Sequence, residues 1–190
     1  MAKEEKLRSE IDDKYKWDLT RMYSCEEDFN ADYNNLIKLI DELKSFRGII
    51  AKDAETLLKY LKLEENANTI LTNMYVYAYC KNDEDLSNKE SQKRFNKVLD
   101  IFSISSEATS FAIPELLKTD YEVIKDYIKE NDKLEEYSFD LEEIYRYQPY
   151  VLTENEEKLV SNISDLSNKI EENFSIINNT MIDFGYIKDE

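Results

Sequence analysis

The sequence predicts an all-α fold, arranged as an array of about six to eight antiparallel helices. Only two glycines and two prolines occur in 190 residues, which leaves little material for hairpins or glycine-rich loops. Apolar residues recur at three- and four-residue spacing, the period of a helix that buries one face. The 42% hydrophobic content can form a core, and the length suits about one domain.

The first predicted helix follows a charged, aperiodic stretch, residues 1–14, which we expect to be frayed. Ser24 and Glu27 have the spacing of a capping box at the helix start. Gly48 is placed to end the helix. The apolar residues that repeat between these signals are Phe29, Tyr33, Leu36, Ile40, Leu43 and Phe46.

The middle of the chain predicts a short helix, a turn and a longer helix. Asp53 is a candidate N-cap, and the polar segment EENAN at 64–68 interrupts the apolar face. In the next connection, KNDEDLSN at 81–88, Asp85 is the candidate N-cap of a further helix. That connection superficially resembles a calcium loop, but it lacks the glycine and the final glutamate, so a solvated turn is the simpler interpretation. The apolar face of the further helix comprises Phe95, Val98, Leu99 and Phe102.

Two prolines mark breaks in the second half of the chain. Pro114 is predicted at the first position of a short helix that extends to Lys118, and another helix runs from Asp120 through Ile128. Pro149 closes the amphipathic stretch that follows. The apolar residues of that stretch are Leu134, Tyr137, Leu141, Ile144 and Tyr145.

The last forty residues predict one long helix and a tail. Thr153 and Glu156 form a second capping box. Apolar residues at near-heptad spacing then extend the helix from Leu159 to Ile177. Residues 179–190 mix apolar residues with Gly185 and are strand-like, so the helical domain is expected to span 15–178.

Charge excludes two classes of partner. The net charge of −17 and the pI near 4.5 argue against nucleic acid and against an anionic membrane surface. Acidic residues that coat solvent-facing helix surfaces are the simplest explanation of this charge. An acidic cleft that attracts cationic peptides is the alternative, and charge alone does not separate the two.

The absence of histidine excludes whole classes of catalysis. Without it there is no histidine acid or base, no Ser–His or Cys–His pair, and no histidine ligand for zinc. Cys25 and Cys80 follow no metal or redox spacing and are expected to be reduced thiols. The N-terminus has no apolar signal region, and no apolar run is long enough to span a membrane, so a cytoplasmic protein is expected.

Three groups of residues are candidate functional sites. The run MYVYAYC, Met74 to Cys80, suggests a stacking platform, although core or groove lining is the more frequent use of such tyrosines. Adjacent glutamates, such as Glu142 and Glu143, point about 100° apart on a helix and do not converge on one reacting atom. Arg146 suits an intrahelical ion pair or, alternatively, an anchor for a peptide carboxylate.

Five short segments, in this order, resemble the N-terminal helical domain of oligoendopeptidase F, a thimet-oligopeptidase-like zinc peptidase family. The resemblance runs from about Tyr15 to the end of the sequence, and none of its segments is a catalytic motif. The segments are W-D-L at Trp17 to Leu19, Y-A at Tyr77 and Ala78 leading to Asp85, F-A-I-P-E-L-L at Phe111 to Leu117, L-E-E-Y at Leu134 to Tyr137, and R-Y-Q-P-Y-V-L-T-E-N-E-E at Arg146 to Glu157.

The resemblance implies a parent enzyme that hydrolyses short peptides in a deep channel, which this domain helps to cover. It also implies zinc held by an HExxH helix and a downstream glutamate. This sequence contains no HExxH, so no catalytic, cofactor-binding or metal residue is assigned in it. The family usually has histidine where Tyr150 stands. Residues 179–190 resemble the start of a β-hairpin, or a linker, that leads to the catalytic domain.

The sequence is therefore expected to be an inactive piece of a larger peptidase. The alternative is a complete, non-enzymatic interaction module that uses 74–79 or the 159–177 face as its partner surface. A stand-alone, non-catalytic relative that modulates the peptidase is a third interpretation. An apolar domain interface, if exposed in the isolated chain, would favour dimerisation.

Overall fold

The computed structural model describes residues 10–85 and 88–150, with the single positions Ile170, Phe174 and Ile177. The chain divides into two units, Met1–Tyr145 and Arg146–Glu190. The predicted second capping box, the predicted long helix apart from those three positions, and the predicted strand-like tail lie outside the described residues. So does most of the segment 1–14, which the sequence predicts to be frayed.

The prediction of an all-α fold is confirmed: the described part of the chain forms α-helices and short 3-10 turns and has no strand. Its six α-helices are at the lower end of the predicted number. They are α1 (Glu26–Lys44), α2 (Ala54–Glu84), α3 (Lys89–Thr109), α4 (Ala112–Leu116), α5 (Tyr121–Glu130) and α6 (Ser138–Tyr147). The 3-10 turns are Asp13–Tyr15, Leu19–Arg21, Asp132–Tyr137 and Gln148–Tyr150.

Helices α1, α2 and α3 pack side by side in alternating directions. Phe29, near the start of α1, lies 5.8 Å in ring-centroid distance from Tyr77, near the end of α2. Tyr75, also late in α2, lies 5.9 Å from Phe95, early in α3. Both neighbouring pairs are therefore antiparallel, as the short connections between them predict.

Arg94 joins the starts of α1 and α3. Its guanidinium is 2.5 Å from a carboxylate oxygen of Glu26. The same guanidinium lies 5.9 Å from the ring centroid of Phe29 and 5.8 Å from that of Tyr77. The Arg94 guanidinium therefore connects α3 with α1 and α2: it forms an ion pair with α1 and lies near one aromatic ring of each of these two helices.

The later helices are held by tyrosine hydroxyls. Tyr145 donates a hydrogen bond of 2.5 Å to the carbonyl of Leu116, and its ring stacks on Tyr121 at 4.7 Å. Tyr137 donates to the carboxylate of Glu65 at 2.6 Å, which ties the 3-10 turn before α6 to α2. The Tyr145 ring is buried and the Tyr137 ring is half-buried, while each hydroxyl has a polar partner, the usual arrangement for tyrosine in a small core.

The start of α1 differs from its prediction, because Ser24 and Glu27 do not form a capping box. The helix begins at Glu26, and Cys25 is its extended N-cap, whose side chain makes no capping hydrogen bond. The Ser24 hydroxyl donates instead to the carboxylate of Asp28. The acidic side chains of the first turn stabilise the helix N-terminus through its dipole in place of a reciprocal cap.

The end of α1 also comes earlier than predicted. The helix ends at Lys44, and Ser45 donates from its hydroxyl to the carbonyl of Glu42 at 2.6 Å. Gly48 has a φ of 83° and lies in the turns beyond the helix, where a left-handed conformation favours glycine. Its N–H donates to the Glu115 carboxylate at 2.7 Å, a contact that fixes the turn against α4.

The predicted turn at 64–68 is wrong, because α2 continues through it. No glycine or proline occurs between 54 and 84, so nothing in the backbone stops the helix. Ala67 is 1% exposed, and Tyr60 donates a 2.8 Å hydrogen bond to Glu64. Burial raises the pKa of Glu64, and the Tyr60 hydrogen bond opposes that shift. The helix tolerates the polar segment because the Glu64 carboxylate has a hydrogen-bond donor and the other polar side chains of the segment are exposed.

Asp53 and Asn88 are the N-caps of the two long helices α2 and α3. The prediction for Asp53 is confirmed, since its carboxylate accepts from the Thr56 N–H at 2.7 Å. The prediction for Asp85 is wrong: this residue is the C-cap of α2. Asn88 caps α3, accepting from the N–H groups of Glu90 and Ser91 at 3.0 and 3.1 Å. The cap lies three residues later because α2 extends to Glu84.

Pro114 is likewise displaced from its predicted position. Because α4 begins at Ala112, Pro114 is its third residue and not its first. The missing N–H still falls in the first turn, where backbone donors have no intrahelical partner, so the proline is tolerated. Helix α5 begins at Tyr121, after Asp120, whose carboxylate accepts from the Glu122 N–H at 2.9 Å.

An Asn88→Ala variant is expected to lower the free energy of unfolding by about 1 kcal/mol, because two N–H groups of α3 lose their acceptor. Urea denaturation followed by circular dichroism measures this change. The matched Asp85→Ala variant is expected to stay within about 0.5 kcal/mol of the parent chain. A larger loss at Asp85 than at Asn88 would contradict the observed cap.

Candidate functional site

The C-terminal half of α2 carries apolar side chains on its outer surface. Tyr75, Val76 and Tyr79 are 36%, 41% and 46% exposed. Met74, Tyr77 and Ala78 in the same run are buried. The MYVYAYC segment therefore divides between core and surface, and its exposed side chains contribute to two adjacent features. These are an aromatic cluster toward α3 and a groove toward the segment before α1.

The aromatic cluster comprises Tyr75, Tyr79, Phe95 and Phe102. The rings of Tyr75 and Tyr79 stack at 6.0 Å, and Phe95 lies within 5.9 Å of both. Phe102 lies 6.5 Å from Tyr75 and is 52% exposed. Four rings on the surface of two helices form the kind of patch that marks contact with another molecule or domain.

The buried face of α3 differs from the apolar face that the sequence predicts. Val98 is fully buried, as expected, but its buried neighbour is Ile101. Leu99 and Phe102, predicted on the same face, are 41% and 52% exposed, and Phe95 is half-buried. The helix is rotated about its axis, so that the small residues Ser105 and Ala108 face the core. The larger side chains of Leu99 and Phe102 therefore lie outside.

The Trp17 groove lies between the segment before α1 and the end of α2. Trp17 is 87% exposed, and it is the only tryptophan in the sequence. The cavity has a volume of about 450 Å³ and a predominantly apolar lining, with carboxylates at one end. Its lining residues are Trp17, Leu19, Met22, Val76, Cys80, Asp83 and Glu84.

The two carboxylates of the groove have different partners. Glu84 lies 3.1 Å from the ammonium of Lys81, so its charge is largely compensated. The negative charge of Asp83 raises the pKa of the Tyr79 hydroxyl. A neutral hydroxyl leaves the charge of Asp83 in place. The acidic end of the groove therefore keeps net negative charge beside an apolar cavity.

Comparison with known proteins identifies the family. A family model described as Oligopeptidase F matches residues 115–184. Oligopeptidase PepF of Bacillus subtilis is 30% identical over 100% of this chain and 29% of its own length. Group B oligopeptidase PepB of Streptococcus agalactiae is 32% identical over 95% of this chain and 30% of its own length. The chain belongs to the oligoendopeptidase F family.

A solved structure of the oligoendopeptidase F family agrees with the sequence matches. The crystal structure of oligoendopeptidase-F from Enterococcus faecium superposes with a TM-score of 0.67 and 26% identity. The match covers 86% of this chain and 32% of that chain. The chain thus corresponds to the N-terminal domain of oligoendopeptidase F and spans about 30% of the length of these relatives.

The side chains that the structure describes do not form a site for zinc, the metal that the oligoendopeptidase F family implies. The sequence has no histidine, and no group of three metal-ligating side chains occurs within 10–85 or 88–150. Cys25 and Cys80 are both free, one exposed and one half-buried. No catalytic step through a metal can therefore be derived from these side chains.

The other predicted positions lie apart from the groove and the cluster in sequence. Arg146 has its guanidinium 5.1 Å from the ring of Tyr147, a contact within α6. Its role as a ligand for a peptide carboxylate stays a prediction. Tyr150 is exposed in the 3-10 turn that follows α6, and Pro149 ends the helix there as predicted. No helix in the described ranges is long and apolar enough to cross a membrane.

Sequence reasoning missed the groove. Trp17 entered only through its resemblance to the W-D-L segment of the family. The available signal was a lone tryptophan in a polar stretch, a position where a buried ring is not expected. The partners of Trp17 on α2 are about sixty residues away, and no local pattern links them.

Proposed function

We propose that this chain acts as the N-terminal, channel-covering domain of a cytosolic, zinc-dependent oligoendopeptidase that hydrolyses short peptides. The zinc ligands and catalytic groups of that enzyme lie outside these 190 residues, and the chain alone cleaves nothing. One observation carries the proposal. The whole chain matches peptidase relatives of which it spans only about 30%, and it contains no histidine.

The surface of α2 and α3 supports a role in contact with a larger partner. The rings of the aromatic cluster offer apolar area together with two hydroxyl groups, a composition typical of interface centres. The helices beneath are rigidly packed through side chains such as Met74 and Val98, both fully buried. A stiff helical layer suits a domain that covers a channel and restricts access to short, unfolded peptides.

Incubation of the chain with zinc and a quenched fluorogenic peptide is expected to give no turnover above the buffer rate. The physical reason is the lack of a donor set that could hold zinc and lower the pKa of its water. Oligopeptidase PepF of Bacillus subtilis, assayed in parallel, is the positive control for the peptide. Turnover by this chain that a chelator abolishes would contradict the proposal.

The alternative is a non-enzymatic interaction module, and the exposed aromatic cluster is the observation that favours it. The reading frame after the codon for Glu190 separates the two functions. An in-frame HExxH downstream supports the peptidase domain. A natural stop codon supports the module, or a non-catalytic relative that modulates a peptidase.

A further inference from the structure

We propose that the Trp17 groove binds the side chain of a lysine or arginine presented by a peptide. The choice of a peptide as the occupant rests on the proposed function. The choice of a basic side chain rests on the groove itself, which combines an exposed indole, an apolar cavity and a carboxylate.

The cavity suits a long side chain with an apolar stem. Lysine and arginine carry three or four methylene groups, which favour burial along apolar surface while the charged head stays at a polar edge. Leu19, Met22 and Val76 supply the apolar lining, and the volume of about 450 Å³ exceeds what one such side chain requires. A carboxylate side chain would bury its stem less well and would meet like charge.

The indole and the carboxylate select for a cation. The face of a tryptophan ring attracts ammonium and guanidinium groups more strongly than any other side-chain ring. Trp17 is 87% exposed, so its ring is available to a ligand. Asp83 lies at the acidic end of the same groove, and a chain of net charge −17 attracts cations over longer distances.

The basic residues beside the groove are already engaged. Lys81 pairs with Glu84 at 3.1 Å, and Arg21 lies 3.5 Å from Asp18. In the described part of the chain Asp83 forms no ion pair, and the nearby Tyr79 hydroxyl, whose pKa the Asp83 charge raises, is neutral. An external cation is therefore the partner that complements the remaining charge of the groove.

Trp17 provides the readout, because it is the only tryptophan and its emission reports on the groove alone. The chain is titrated with capped tripeptides Ala-X-Ala, where X is arginine, lysine, norleucine or glutamate. We expect saturable changes of emission with arginine and lysine, and binding about tenfold tighter than for norleucine, which has the stem without the charge. The glutamate peptide is expected not to bind.

Variants separate a specific carboxylate from general negative charge. Asp83→Asn is expected to reduce arginine-peptide affinity to the norleucine level. The matched control is Asp126→Asn, an equal loss of charge on α5 at a residue outside the groove, which is expected to leave affinity unchanged. Circular dichroism of both exposed-site variants verifies that they fold. Trp17→Leu, measured by calorimetry, is expected to lose binding.

Three results would overturn the proposal. Equal affinity for the arginine and norleucine peptides would make the groove an apolar docking surface. Equal effects of the two aspartate variants would mean that the net charge of the chain, and not Asp83, attracts the peptide. If no peptide binds saturably, the groove is not a binding site. None of these measurements requires catalysis, so they are independent of the turnover assay and of the reading frame that test the proposed function.

Discussion

An Asn66→Pro variant is expected to lose about 3 kcal/mol or more of unfolding free energy, because proline removes a backbone hydrogen bond in the interior of α2 and clashes with the preceding turn. Asn66 is exposed and lies within the continuous helix Ala54–Glu84, so the loss comes from the backbone alone. Urea denaturation followed by circular dichroism at helical wavelengths measures it.

Asn66→Ala is the matched control and is expected to change stability little or to raise it by a few tenths of a kcal/mol, because alanine has the higher helix propensity. The contrast between the two variants tests the correction to the predicted turn at 64–68. If proline is tolerated as well as alanine, the segment is a turn and α2 is interrupted there.

A Phe29→Ala variant is expected to lose about 3–5 kcal/mol of unfolding free energy, since it empties a fully buried site in the three-helix layer. Phe29 is 0% exposed, and its ring centroid lies 5.3 Å from Tyr23 and 5.8 Å from Tyr77. The substitution would also remove the aromatic ring beneath Arg94, because the Arg94 guanidinium lies 5.9 Å from the Phe29 ring centroid. Chemical denaturation gives the loss from the shift of the midpoint.

Phe139→Ala is the matched control, because Phe139 is 70% exposed on α6 and its removal leaves no cavity. Its effect is expected to stay within about 0.5 kcal/mol. Similar losses at the two positions would mean that Phe29 does not lie in the core that the structure describes.

Local signals predicted those features that depend on neighbours in sequence. Asp53 caps α2 because its carboxylate reaches an N–H three residues ahead. Pro149 restricts the residue before it, and α6 ends at Tyr147. Where several local partners compete, the prediction failed: Ser24 bonds Asp28 in place of a capping box, and Asn88 caps α3 in place of Asp85.

The failure at 64–68 has a different cause. A polar segment in an amphipathic pattern suggests a turn, yet a helix tolerates it when the one inward-facing carboxylate finds a donor. Tyr60 supplies that donor to Glu64 from one turn earlier. Tyr137, seventy-two residues further on, bonds the neighbouring Glu65, and this contact requires the folded chain.

The sequence by itself determined that the chain is helical and acidic, that it lacks the histidines of a zinc peptidase site, and that it resembles oligoendopeptidase F. These properties follow from composition, short-range spacing and motif order, which need no tertiary contact. Only the tertiary structure decided which aromatic side chains lie outside. The rotation of a helix about its axis is set by all of its packing partners together, and this rotation places Phe102 on the surface. Trp17 and Asp83 line one groove only because the folded chain brings the segment before α1 next to α2.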